Sequence, residues 1–196
     1  MITENTVLRE DDPRVDEFGR QGWRILARSW GAQLDASDID REQLGRLVER
    51  VRGVGDMREL NPTDLSEILA LDGATTEDYP GGVATAHTPL DRERATVGPN
   101  RRGFGVVNPG GRVLAMTFID LDGSKAETEF TVVASQWRGN GLGAAVKAAS
   151  VLALLEDGVE HFRTGGSADN PASLAANSKV GYTVDEVWLT LAPPAP

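Results

Sequence analysis

The sequence predicts an α/β fold of the α+β kind, a central mixed and mostly antiparallel sheet with flanking helices. Three observations predict it. Residues 104–133 read as three strands joined by two tight turns, an antiparallel meander. The alanine- and leucine-rich stretch from Leu142 to about Asp157 reads as a long helix that carries the chain across, so that His161 to Thr164 returns parallel to the strand before it. Between that strand and that helix stands a glycine-punctuated turn, Arg138-Gly139-Asn140-Gly141-Leu142-Gly143.

Taken in order, residues 1–13 are polar and expected to be loose. Val15 and Phe18 suggest a short helix, ended by Gly19 or Gly22. Trp23 to Leu34 reads as one strand, bent or broken, with a place at the sheet edge as its plainest reading. Ser37 to Arg52 is an amphipathic helix: Ile39, Leu44, Leu47, Val48 and Val51 recur at helical spacing, Ser37 and Asp40 offer a cap, and Gly53 and Gly55 stop it. A second unit begins at Asp56, dividing the chain into residues 1–55 and 56–192. Met57 to Leu60 is strand-like. Asn61 can cap a helix with Pro62 at its first position and Asp64 at its third, and Leu65, Ile68, Leu69 and Leu71 supply the apolar stripe.

Asp72 to Gly103 is the least patterned region, a long excursion with one short helix expected around Asp91 to Ala95. Excursions of that length are uncommon unless they line a site or move. Phe104 to Val107, the turn Asn108-Pro109-Gly110-Gly111 and Arg112 to Asp120 form a hairpin. Leu121-Asp122-Gly123-Ser124 turns into the strand Glu127 to Val133. A second helix opens at Asn170, Val184 to Leu191 is a final strand, and the end is proline-rich.

Composition narrows the function. At 196 residues and 40% hydrophobic, the chain fits one medium domain with a core and a small appendage. It has no cysteine, which excludes disulfides, thiolate catalysis and cysteine-based zinc sites, and His87 and His161 are too few for a histidine-rich metal centre. No metal is expected. The net charge of −10 disfavours nucleic acid and anionic membranes as partners. Neither a membrane-spanning run nor a signal peptide is recognisable, so a cytoplasmic protein is expected.

A strand, a glycine-rich turn and a helix start, in that order, make an anion-binding cradle: N–H groups left without helical partners converge, and the helix dipole adds to them. The glycines let the backbone turn sharply and approach a ligand closely. A pyrophosphate there would receive the N–H groups of Gly139, Asn140, Gly141, Leu142 and Gly143, with Arg138 supplying charge. The spacing differs from the phosphate loop of nucleotide triphosphatases and from the dinucleotide fingerprint.

With its flanks, this stretch resembles the GCN5-related N-acetyltransferase superfamily. That family's cofactor motif, Arg/Gln-x-x-Gly-x-Gly/Ala, is matched by Arg138 to Gly143. A later block, Asn170-Pro171-Ala172-Ser173-Leu174-Ala175-Ala176-Asn177-Ser178-Lys179-Val180-Gly181-Tyr182, ends in the family's Gly-aromatic pair. The resemblance covers Asp56 to about Leu191. It implies a cofactor, acetyl-CoA (coenzyme A), lying in a splay between two parallel strands, Glu127 to Val133 and His161 to Thr164. The main chain of Thr131, Val132 and Val133 would hold its pantetheine arm, with Asn170 and Asn177 as further contacts. Two positions depart from the pattern. Asn177 stands where many members have a tyrosine that protonates the leaving thiolate, and Gly166 stands where members sharing that asparagine tend to have another.

The segment Phe18-Gly19-Arg20-Gln21-Gly22-Trp23-Arg24, followed by Ile25 to Leu34, resembles the end of another such domain. The chain is thus similar to a reduced relative of the actinobacterial tandem-domain members, with residues 1–55 as a remnant; the alternative is that residues 1–55 are an unrelated N-terminal extension. That stub would pair either with the sheet of the complete module or with another chain, in the second case as a homodimer.

The chemistry implied is direct transfer of an acetyl group to a small-molecule primary amine, an acyl-CoA-dependent N-acyltransferase reaction. The amine must lose a proton, so a base is needed within reach. Glu127 and Glu129 sit on the strand before the cradle, and strand alternation places both on one face with Thr131 and Val133. Glu127 is the nearer match to a glutamate used by some family members. Ser135, His87 and Tyr79 are weaker candidates. The rival reading is an inactive or catalytically weak acyl-CoA-binding module that serves assembly or regulation.

Overall fold

A computed structural model of the chain describes residues 4–78, 82, 85 and 87–194; Tyr79 lies outside the described residues. Its strands are β1 (Thr6–Arg9), β2 (Arg24–Asp35), β3 (Asp56–Glu59), β4 (Arg101–Val107), β5 (Val113–Asp122), β6 (Lys125–Val133), β7 (His161–Ser167) and β8 (Thr183–Ala192). The helices are α1 (Arg14–Arg20), α2 (Arg41–Glu49), α3 (Leu65–Thr75), α4 (Leu142–Glu156) and α5 (Pro171–Val180). All eight strands form one sheet, in the order β1-β8-β2-β7-β6-β5-β4-β3. Every neighbouring pair is antiparallel except β6 and β7, the pair joined by the α4 crossover. Among the described residues, no helix is long and apolar enough to cross a membrane.

Two layers cover the sheet. On one face, α3 packs Ile68 and Leu71 against Met116, Phe118, Phe130 and Val132. On the other, α4 and α2 bury Ala148, Val151, Leu154, Leu44 and Leu47 against Ile119, Ala126 and Phe162. The start of α3 follows the residues that predict it. Asn61 Oδ1 accepts from Thr63 N at 2.9 Å, and Asp64 Oδ2 returns to accept from Asn61 N at 2.9 Å. Arg58 grips the same Asp64 carboxylate through two nitrogens, at 2.8 and 2.7 Å, which holds its pKa below the usual range.

The N-terminal part differs most from expectation. Residues 1–13 are not wholly loose: Thr6–Arg9 pairs with β8, and Leu8 is buried against Leu189 and Leu191. β2 is no edge strand. It lies between β7 and β8, bent by register shifts between Ile25 and Ala27 and between Gly31 and Ala32. Because β2 runs on to Asp35 and a single tight turn follows, the helix expected from Ser37 begins at Arg41, capped by Asp40 Oδ1 on Gln43 N at 2.9 Å. The short helix expected around Asp91 to Ala95 is only a turn, closed by Ala95 N on Asp91 O at 3.0 Å.

β2 and α2 share the sheet and core of residues 56–192. Trp30 makes the closest link. It faces Gly166 across the β2–β7 pair, and its Nε1 donates to the Ser167 carbonyl at 3.1 Å. A Cβ on Gly166 would meet the Trp30 ring at 2.8 Å, so glycine at this position admits the indole. Gly166→Asn is therefore expected to destabilise the chain by about 2 kcal/mol through overpacking. Trp30→Ala loses the indole's burial when made alone, and should cost less when made in the Gly166→Asn background. Urea midpoints of the four proteins check this; additive losses would contradict it.

Candidate active site

β6 and β7 pair over only three rungs, Lys125 with His161, Ala126 with Phe162 and Glu127 with Arg163. Beyond them the strands part, leaving a wedge between residues 128–133 of β6 and 164–167 of β7. The edge of β6 is held from its other side. Ala134 N donates to Leu114 O at 2.9 Å, so by alternation the main-chain groups of Val132 and Phe130 also face β5. Those of Thr131 and Val133 face the wedge. Val132 is thus not a main-chain contact for anything in the wedge, and its side chain is part of the α3-side core.

The cradle closes the wide end of the wedge. Gly139 and Gly141 take φ of +77° and +84°, left-handed conformations that glycine adopts without strain. Gly141 is the residue before α4. Asn140 holds the turn by donating from Nδ2 to the carbonyls of Trp137 and Arg138, at 3.2 and 3.1 Å. The N–H groups of Gly139, Asn140, Gly141, Leu142 and Gly143 have no acceptor among the described residues, whereas Ala145 N already bonds Gly141 O at 3.0 Å. Five N–H groups without acceptors at the start of a fifteen-residue helix are the donor arrangement that an anion site needs. Arg138 beside them donates from Nε to Val133 O at 3.1 Å and ion-pairs with Asp78 at 2.7 Å.

The predicted carboxylates separate. The register passes from Phe118 opposite Phe130 to Ile119 opposite Thr128, so Glu129 is the extra residue of a β-bulge. Alternation breaks there, and the two glutamates do not share a face with Thr131 and Val133. Glu127 lies opposite Asp120 and shares the α3 face with Phe130. Thr128, Thr131 and Val133 share the α4 face with Ile119.

Glu129 is held by Arg94 at 2.6 Å and by Arg101, whose guanidinium stacks on Phe118. Burial raises its pKa, but the two guanidinium groups outweigh that and leave it below the usual range. A carboxylate so engaged is a poor proton acceptor. Glu127 is exposed, has no hydrogen bond among the described residues, and stands on the last rung before the wedge opens.

The other candidates have defined places. His87 Nε2 lies 2.6 Å from Asp72 Oδ1, and its ring packs 5.0 Å from that of Phe130. Asp72, 1% exposed, also accepts from Leu90 N at 2.8 Å. This pair straps the excursion to α3. Ser135 is exposed in the tight turn before the cradle. Asn170 caps α5, its Oδ1 accepting from Ser173 N at 3.0 Å. Asn177 is buried and donates to Ser173 O at 2.9 Å, but its Oδ1 finds no partner among the described residues. A cavity of about 210 Å³ also opens beside Ser135 and Trp137, against Glu67 and Leu71 of α3.

Sequence reasoning missed Lys147. This lysine of α4 is buried, and with no counter-charge burial brings its pKa down to about 7. Its signal is visible in retrospect, as a single cation within the apolar run Ala144-Ala145-Val146-Lys147-Ala148-Ala149.

No family model matches the sequence, and no curated protein matches it. Solved structures do match. A GCN5-related N-acetyltransferase-like protein from Streptococcus suis shares 18% identity at a TM-score of 0.65, over 95% of this chain and 70% of that one. A tandem GNAT protein from the clavulanic acid biosynthesis pathway shares 20% at 0.68, over 98% and 64%. A GCN5-related N-acetyltransferase from Kribbella flavida shares 16% at 0.64, over 98% and 68%. The chain spans about two thirds of the length of these structures. It has the GCN5-related N-acetyltransferase fold.

Proposed function

We propose that this chain is an N-acyltransferase that moves an acetyl group from acetyl-CoA to the primary amine of a small molecule by direct transfer. The observation that carries the reading is the row of five acceptor-free N–H groups from Gly139 to Gly143, at the wide end of a wedge in an acetyltransferase fold. The residues present fit coenzyme A. The cradle suits its pyrophosphate, the wedge-facing main chain of Thr131 and the N–H of Val133 suit its amides, and the orphaned carbonyl of Asn177 awaits a donor.

Coenzyme A supplies an acyl group activated as a thioester. The chain's own contribution is to position the reactants and to handle protons. Glu127, exposed on the α3 side of the last rung, takes the proton that the acceptor amine must lose. Glu129 instead fixes the bulge and the Arg94 strap. Asn177 favours the rival reading of an inactive acyl-CoA-binding module, since an amide in the tyrosine's place donates no proton to a leaving group.

A panel of primary amines assayed for release of free coenzyme A separates the two. Turnover is expected with at least one amine, and Glu127→Gln should lower kcat by about 100-fold while leaving KM for acetyl-CoA unchanged. Glu129→Gln should instead cost about 1–2 kcal/mol of stability, as Arg94 and Arg101 lose their shared partner. Acetyl-CoA binding without turnover on any amine would favour the rival. Turnover indifferent to Glu127→Gln would remove that residue as the base.

A further inference from the structure

α4 carries one charged side chain into the core. Lys147 is 5% exposed, and its Nζ donates a single hydrogen bond, to Thr164 Oγ1 at 3.3 Å. The Tyr182 ring lies with its centroid 6.0 Å from the ammonium nitrogen. These neighbours fix its place. Thr164 is the first residue of β7 past the last rung with β6. The Tyr182 hydroxyl lies beside Thr128, the residue at the same level on β6. The amine therefore sits at the throat of the wedge, on the α4 face, opposite the face that carries Glu127.

Nothing about packing calls for an amine here. A buried cation without a counter-ion costs several kcal/mol, and a methionine would fill similar space without that penalty. An ammonium has three donors, and only one is engaged. No carboxylate ion-pairs with it among the described residues. The charged side chains of the adjoining helices, Arg41, Glu42, Arg46 and Glu49 of α2 and Lys179 of α5, lie at the surface. Glu127 is exposed on the other face, Glu129 is taken by its two arginines, Arg102 of β4 by Glu59 and Asp157, and Arg163 of β7 by Asp185 and Glu186. Burial alone thus sets the proton affinity of Lys147, near neutrality, where the group can both hold and release a proton.

We infer that Lys147 is the proton donor to the departing sulfur of coenzyme A, acting from the face of the wedge opposite Glu127. The inference rests on the transferase reading above, and it supplies the acid that Asn177 cannot be. Lys147 gives one proton to the sulfur as the C–S bond breaks and the C–N bond forms. It regains one from solvent, while the acceptor ammonium loses two through Glu127, one before attack and one as the C–N bond forms, so that one proton is released net per turnover. Protons so leave on one face of the sheet and enter on the other.

The test follows the ε-¹⁵N resonance of Lys147 against pH in the full chain, alone, with coenzyme A and with desulfo-coenzyme A. Coenzyme A should raise the titration midpoint by about one pH unit or more, because a sulfur able to share charge favours the ammonium, and desulfo-coenzyme A should not. A midpoint unmoved by bound coenzyme A overturns the inference and leaves the transferase reading standing. Failure of both compounds to bind removes the two together. Lys147→Met supplies the second measurement. It should bind acetyl-CoA as the unaltered chain does, release coenzyme A about 100-fold more slowly, and lose the fall in rate above about pH 7. An unchanged rate and pH profile in that variant also overturns the inference.

Discussion

Gly141→Val is expected to weaken acetyl-CoA binding at least ~100-fold by calorimetry, equivalent to about 2.7 kcal/mol. The reason lies in the backbone. Gly141 holds φ of +84° immediately before α4, and a β-branched residue resists that conformation at a cost of about 1–2 kcal/mol. Relaxing it turns the N–H groups of residues 139–143 out of convergence. No protein atom lies within 4 Å of a Cβ built at this glycine, so the loss would not come from a clash in the core. Gly143→Ala is the control. Its φ is not left-handed, and its added methyl meets Val133 Cγ2 at an ordinary 3.6 Å, so affinity should change only a few-fold. Equal affinity in the unaltered chain and Gly141→Val would remove the cradle assignment.

The second large effect is on stability against pH. Lys147 has a pKa near 7 in the folded chain and an ordinary lysine value, about 10.4, in the unfolded one. Between those values the unfolded chain holds a proton that the folded chain does not, so stability rises with pH across that window, by up to about 1.4 kcal/mol per pH unit. Below about pH 7 both states are charged and the full penalty of burying the ammonium applies, on the order of 5 kcal/mol. Lys147→Met should therefore be more stable than the unaltered chain at pH 6, and the gap should close as pH approaches 10. Urea midpoints of both proteins at several pH values give the difference directly. A constant gap across the window would mean that Lys147 keeps an ordinary proton affinity.

Local chemistry carried much of this structure in plain view. The cradle is written in Gly139 and Gly141, where left-handed turns demand glycine. The starts of the helices at Asn61 and Asn170 follow from side chains that bond the next N–H groups. What stayed hidden depends on partners far away in sequence. A two-residue period cannot reveal the bulge at Glu129, because the irregularity exists only relative to β5. The interior place of β2 rests on pairing with strands more than 120 residues later, and only Trp30 against Gly166 hints at it from composition. Lys147 is not legible in the sequence because a lone lysine in an alanine-rich helix reads as its solvated side, whereas α4 buries nearly its whole circumference.

The chain holds a wedge with five acceptor-free N–H groups at its wide end and, at its throat, a carboxylate on one face and an amine on the other. The cradle is the part on which the rest depends. Backbone amide spectra of the ¹⁵N-labelled chain, recorded as coenzyme A is added, test it most directly. The resonances of Gly139, Asn140, Gly141, Leu142 and Gly143 should move together, with a shared midpoint, while those of the Asn108–Arg112 turn stay in place. Coenzyme A that binds without moving those five amides would contradict the account.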